Sequence, residues 1–194
     1  GEFNLDGCRN LLGLVLENCI VEEPIRAIDA SIQILVLTNV QLTKADADGI
    51  SLFADRLKVE GDIQISSGSI SAGSVYLGGA QVGGVVSFEG SKIACDTRCD
   101  DTAFFADALV TKSDVYLSNG FEANGDVRFL GASITGSFIC TGGTFRPSPN
   151  PAETKRLSAR DSLSLSHAKI GESLMMDLTS NGESRAAKIY GTLN

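Results

Sequence analysis

Tryptophan is absent from the 194 residues, histidine occurs once, proline four times, and aromatic residues make up only 6% of the chain. With His167 as the sole histidine, any nucleophile–histidine catalytic pair would have to run through that one residue. It would also be the only imidazole available to a zinc site. No run of about 18 apolar residues is present, which excludes a membrane-spanning helix; the apolar stretch Leu11–Leu16 stops at Glu17. Cations are outnumbered, 16 Lys and Arg against 24 Asp and Glu, for a formal charge of −8. That balance argues against nucleic acid, which is held through phosphates by clustered Lys and Arg, and against anionic lipid surfaces. The opening Gly1-Glu2-Phe3 reads as a cloning remnant rather than a secretory leader.

Cysteine is present but not as a framework. Cys8, Cys19, Cys95, Cys99 and Cys140 make an odd count without recurring spacing. Such usage points to a reducing compartment, so a cytoplasmic location is expected. Cys95 and Cys99 stand as C-x3-C with no second ligand pair; a loop disulfide and two ordinary thiols both remain open. No metal and no cofactor is expected.

What the chain does have is glycine, 21 residues of it, and a repeat. Ala54–Ile93 lies over Ala106–Phe145 without a gap, at an offset of 52. Ala54/Ala106, Asp55/Asp107, Asp62/Asp114, Gly73/Gly125, Gly79/Gly131 and Gly84/Gly136 are among the identities, and apolar positions exchange in kind. A fixed period of this size marks stacked repeats. A shorter period lies inside it: Gly-x-apolar-x-apolar at Gly61–Ile65, Gly73–Leu77 and Gly84–Phe88, in steps of 12 and then 11. Val115, Val127 and Phe138 repeat the same steps.

Apolar residues at i and i+2 share one side of a strand, and glycine at its ends lets the chain turn sharply. Short strands that turn and repeat stack into a column. Each strand pairs with its neighbours about 4.8 Å above and below, and the inward residues form the core. The expected fold is therefore all-β: a single-stack β-solenoid, taken as a right-handed parallel β-helix by the crossover rule. Two units of 12 and 11 residues would make one coil of 23, giving roughly seven to nine coils; a triangular cross-section with another coil length is the alternative. Cys140 falls where Phe88 falls one long repeat earlier and reads as a buried hydrophobe. His167 takes the place of Gly131 and reads as a turn residue.

Ala94–Thr102 and Arg146–Lys155 interrupt the period at equivalent places, so both are expected as loops on one side of the stack. Residues 1–50 read as degenerate coils, with strands at Leu14–Leu16 and Ile34–Val40, a turn at Pro24, and room for a capping helix in Thr43–Leu52. Residues 51–194 read as regular repeats. Ala168–Leu174 is echoed by Ala187–Leu193 with no polar cap after it, so the repeats are expected to continue beyond this stretch.

Asp62, Asp114 and Asp126 each precede an inward strand residue, and Arg128 faces outward by alternation. With loop residues Asp96 and Arg98, the residues Asp114, Asp126 and Arg128 are the candidate binding residues; none is assigned a catalytic role. Paired carboxylates on an outer sheet would suit acid–base work on a polysaccharide, whereas an Asp beside Gly ordinarily bonds local backbone.

The run Asn119–Phe145, NGFEANGDVRFLGASITGSFICTGGTF, resembles a functionally uncharacterised family of bacterial tandem-repeat proteins with G-F-x-A-x-G-x-V-R-x-x-G-A-x-I-x-G units. The resemblance covers Leu52–Leu178. More distantly the coils look like those of bactofilins and pentapeptide-repeat proteins, both right-handed β-helices. The resemblance implies a scaffold or polymer role rather than a chemistry. Some relatives carry membrane or oxidoreductase labels, but no residue here supports either: there is neither a strand–G-x-G-x-x-G–helix nor a C-x-x-C. The expected function is a non-enzymatic scaffold for an unknown protein partner or for self-association. The alternative is a polysaccharide-binding or -cleaving β-helix using outer-face Asp and Arg.

Overall fold

The computed structural model describes residues 3–67, 69–70, 72–94, 101–146 and 162–176. The loop candidates Asp96, Arg98, Cys95 and Cys99 lie outside them, as does the Ala187–Leu193 echo. Among the described residues there are strands and turns and no helix.

The strands make four parallel sheets, visited in a fixed order. Sheet A holds Phe3–Asn4, Ile25–Arg26, Ile50–Phe53, Ser74–Tyr76, Thr102–Phe105, Asp126–Arg128 and Leu163–Ser164. Sheet B holds Ser31–Ile32, Lys58–Val59, Gln81–Val82, Val110–Thr111, Ser133–Ile134 and Lys169–Ile170. Sheet C holds Leu14–Glu17, Leu35–Thr38, Ile63–Ser66, Val86–Ser87, Val115–Tyr116, Phe138–Ile139 and Leu174–Met175. Sheet D holds Ile20–Val21, Gln41–Leu42, Ser69–Ile70, Lys92–Ala94, Glu122–Asn124 and Thr144–Arg146. One passage from A through B and C to D is called a round, numbered from the sheet A strand at Phe3. In round 1 the sheet B place is held by Leu11, bridged to Ile32.

Rounds alternate in length. Ile63 pairs with Val86, 23 residues on, and Val86 pairs with Val115, 29 residues on. The 52-residue period is therefore two rounds. The extra length falls at the corner from sheet D to sheet A, where Leu42 leads to Ile50 and Ala94 to Thr102. The same corner lies between Arg146 and Leu163. Both sequence-expected excursions thus leave from one corner, together with a third at residues 43–49 that the sequence did not reveal.

That third segment corrects the capping-helix expectation. Thr43–Leu52 contains no helix. The Asp46 carboxylate accepts from the amides of Asp48 (2.9 Å) and Ile50 (3.0 Å), and Gly49 turns the chain at φ 80°. An aspartate bonding its own downstream backbone favours a turn over a helix. A second correction concerns the coil of two units and its triangular alternative: between the sheet A and sheet C units lie Gly79–Gly83 and its equivalents. They contain two-residue strands of sheet B, and with the short sheet D strands a round has four strands, neither two nor three.

Two corners are cut by left-handed residues stacked in register. From A to B these are Gly7, Asp29, Arg56, Gly79, Ala108, Gly131 and His167, at φ 55–67°. From C to D they are Asn18, Asn39, Ser67, Gly90, Asn119 and Gly142, at φ 45–70°. An i→i+3 bond such as Leu57 N to Ala54 O (3.2 Å) closes each A-to-B turn. A positive φ at the third turn position is what a type II turn needs. A residue with a Cβ there costs roughly 1–2 kcal/mol. The stack repays this with one set of parallel backbone bonds per round.

The core is a column of inward side chains, including fully buried Ile25, Leu52, Val75, Phe104, Val127 and Leu163 from sheet A. Phe88, Phe104, Phe121, Phe129 and Phe138 lie there, fully buried. Phe88 meets Phe104 edge-on at 4.8 Å, Phe104 stacks on Phe129 at 5.4 Å, and Phe129 meets Phe138 edge-on at 5.1 Å. Each buried side chain of this size contributes about 1.5–3 kcal/mol. Cys140 continues the inward column of Phe88 and is 5% exposed.

Candidate functional site

The sequence candidates are dispersed. Asp114 precedes a strand of sheet C, whereas Asp126 and Arg128 belong to sheet A. Asp114 Oδ1 accepts from the amide of Ser137 in the next round (2.7 Å), and its Oδ2 accepts from the Tyr116 hydroxyl (3.1 Å). Burial, followed by the Asp114 carboxylate, raises the Tyr116 phenol above its ordinary range. Asp62 makes the equivalent bond to Val85 N at 2.8 Å. A Cβ on Gly84 or Gly136 would sit 2.0 or 2.2 Å from that carboxylate oxygen, so each aspartate requires the glycine beside it. These carboxylates bond backbone, as an Asp beside Gly suggests, though in the following round rather than in their own.

Arg128 donates to Asp107 Oδ2 at 2.6 Å and lies over the Phe105 ring at 5.2 Å. Arg26 repeats the arrangement, with Asp6 at 2.9 Å and the Phe53 ring at 4.8 Å. Register places Arg26, Phe53, Tyr76, Phe105 and Arg128 in one outward column of sheet A. Tyr76 stacks on Phe105 at 5.0 Å and 26°. Ring faces in this column are therefore taken by a neighbouring ring or a guanidinium, an arrangement of cation–π contacts along a ladder. Sheet D carries an ionic counterpart, in which Glu122 pairs with Lys92 and Arg146, each at 3.1 Å. Arg146 first, then Lys92, hold the Glu122 carboxyl below its usual range.

Two concavities accompany these ladders. One, of about 250 Å³, lies beside the sheet A column and is lined by Glu23, Pro24, Arg26, Ala45, Asp46 and Phe53. The larger, about 500 Å³, lies along the A-to-B corner of the early rounds. It is lined by Arg9, Asp29, Ser31, Arg56, Lys58, Gly79 and Gln81. Arg56 Nε and Nη2 both donate to Asp29, each at 2.7 Å. The guanidinium holds the Asp29 carboxyl below its usual value and is itself raised by it. Neither this cleft nor the sheet A column emerged from sequence reasoning. The cleft residues are far apart in sequence and meet only when rounds stack. The column was legible as aromatic or Arg at one phase of the repeat: Phe53, Tyr76, Phe105, Arg128.

Among the described residues no group of three or more His, Cys, Asp or Glu is arranged to hold a metal, and no helix is long and apolar enough to cross a membrane. His167 is exposed at φ 59° in the turn column, where the sequence put it. No protein-family model, no curated protein and no solved structure matches the chain.

Proposed function

We propose that the chain is a non-enzymatic repeat scaffold, built as a single-stack right-handed parallel β-solenoid, that offers its outer sheet faces to a protein partner or to further copies of itself. The A–B–C–D order and uniformly parallel pairing support the solenoid, and the handedness follows from the crossover rule. The observation that carries the functional reading is the use of Asp62, Asp107, Asp114 and Arg128 to tie one round to the next. A carboxylate engaged in that way is not poised to exchange a proton with a substrate. The sheet A rings also count against the polysaccharide alternative. Sugar platforms present a ring face, and here Arg26, Arg128 and the Tyr76–Phe105 stack cover those faces. Among the described residues Cys8, Cys19 and Cys140 are free thiols, which fits the cytoplasmic location that goes with this reading.

The test is reducing-end release and binding across a panel of neutral and acidic polysaccharides, with the wild type and the double variant Asp114→Ala, Asp126→Ala. The expected result is no release by either protein and a lower melting temperature for the variant. Release that disappears in a variant still folded by circular dichroism would sink the scaffold reading. Light scattering over a concentration series then assigns the binding surface: a rising mass means self-association, and a constant monomer mass means a different protein partner.

A further inference from the structure

We infer that the 500 Å³ cleft at the A-to-B corner of rounds 1–4 is a binding site for a small dianion of the phosphate or phosphate-monoester class, held by Arg9, Arg56 and Lys58. This goes beyond the scaffold reading and does not depend on it.

The charge balance comes first. On a chain of net charge −8, three cations line one cleft with one carboxylate, Asp29. Both Asp29 oxygens are already engaged by Arg56. Arg9 and Lys58 have no ion pair or side-chain hydrogen bond among the described residues, and both are exposed. Two positive charges in the cleft are therefore uncompensated, which matches a dianion. Ser31 and Gln81 line the same space and add a hydroxyl and an amide for a ligand's neutral polar groups. The volume is that of a small-molecule site.

The second observation is conformational. Arg56 holds the left-handed corner at φ 55°, in a column otherwise made of Gly7, Asp29, Gly79, Ala108, Gly131 and His167. Glycine is free of steric cost there and a long branched cation is not. Ala108 and His167 hold the same corner, so the turn accepts a side chain; what distinguishes Arg56 is that its side chain lines the cleft. Asp29, itself in that column, fixes the guanidinium by a two-pronged bond and leaves Nη1 without a bond to Asp29. Gly79 follows Arg56 in the column, where a Cβ would meet only the Arg56 side chain, at an ordinary contact distance of 3.5 Å. In rounds 5 and 6 the same column carries the uncharged Ala108 and Gly131, and in round 7 His167.

The probe is inorganic phosphate, followed by 31P line broadening and by calorimetry in low-salt buffer near neutral pH, with acetate as the monoanion control. Saturable phosphate binding that weakens with ionic strength is expected, with acetate binding weaker. Arg9→Ala combined with Lys58→Ala should weaken phosphate by about tenfold or more, the loss of charge-assisted hydrogen bonds. Arg56→Gly separates ligand binding from structure. It relieves the corner and gives up the exposed Asp29 pair, two small and opposite effects, so it should melt close to the wild type, yet it should lose phosphate affinity. The inference is overturned if phosphate binding does not saturate, if acetate binds equally well, or if either variant binds phosphate as the wild type does.

Discussion

The rounds that begin at Ile50 and Thr102 differ systematically from those that begin at Ser74 and Asp126. At the A-to-B corner the first kind places Ala54 and Leu57, or Ala106 and Leu109, inside. The second kind places Leu77 and Ala80, or Phe129 and Ala132. Small and large side chains exchange places from one round to the next, so the corner fills without two bulky groups meeting in one layer. The polar side alternates as well. The first kind supplies Asp55, Asp62, Asp107 and Asp114, which accept the amides of Gly78, Val85, Leu130 and Ser137 in the second kind. The second kind supplies Gly84 and Gly136, which leave room for two of those carboxylates. A unit of two unlike rounds is therefore the smallest complete repeat, and the 52-residue period is its signature.

The comparison can be broken most severely at the corner. Leu109→Ala would leave two small residues in that layer, and urea unfolding should show a loss of about 2–5 kcal/mol. An effect below that range would mean the corner collapses around the gap and alternation is not what fills it. The rounds also differ in how they hold sulfur. Burial pushes the Cys140 thiol up to about 12, so at pH 8 its thiolate is scarcer than that of an ordinary thiol by about a thousandfold. In a Cys95→Ser, Cys99→Ser background, an aromatic disulfide reagent should titrate the half-buried Cys8 and Cys19 and reach Cys140 only on unfolding.

Gly136→Ala attacks the polar half of the alternation. Its Cβ would displace the Asp114 carboxylate, at a cost of about 1–3 kcal/mol. Once that contact is lost, adding Asp114→Ala should cost little more, and a double-mutant cycle reads the coupling. Strict additivity would separate glycine from aspartate. The smallest effect is electrostatic. Burial, partly offset by the Gly78 amide, raises the Asp55 carboxyl above its usual value. The folded state thus prefers Asp55 protonated, and its contribution is lost as pH rises through the raised value. Asp55→Asn keeps an oxygen for Gly78 N and removes the titration. It should be neutral to slightly stabilising at pH 7, by on the order of 0.5 kcal/mol or less at this exposure, with the advantage vanishing below the ordinary carboxylate range. Asp29 and Glu122 are lowered, so they run the other way: their contribution is present at neutral pH and is lost on acidification. Thermal melts of wild type and variant across pH 3–8 distinguish the two signs.

Much of this was legible because stacking converts sequence period into register. The steps of 12 and 11 are the alternation between sheets C and A, as Ile63, Val75 and Val86 demonstrate. The turn role of His167 and the burial of Cys140 followed from phase alone. The two- and three-residue strands of sheets B and D were not legible, because strands so short carry too little alternation to detect. In the first rounds asparagine and aspartate replace glycine in the left-handed corners at Asn18, Asp29 and Asn39. The signal there was Leu-Val-Leu-Glu-Asn18 followed by Leu-Val-Leu-Thr-Asn39, in which Asn39 Nδ2 donates to Asn18 Oδ1 at 2.9 Å. Of the candidate residues, Asp114 and Arg128 proved to bond between rounds, a contact partner that no local spacing specifies.

The sequence by itself determined the repeat, its period and which side chains face inward, because these depend on local strand alternation and turn chemistry. Only the tertiary structure decided that the period spans two unlike rounds, that Phe53, Tyr76 and Phe105 form one ladder, and that Arg9, Arg56 and Lys58 share a cleft. Those features arise between residues some 20 to 50 positions apart, and it is the parallel register of stacked strands that sets which of them meet.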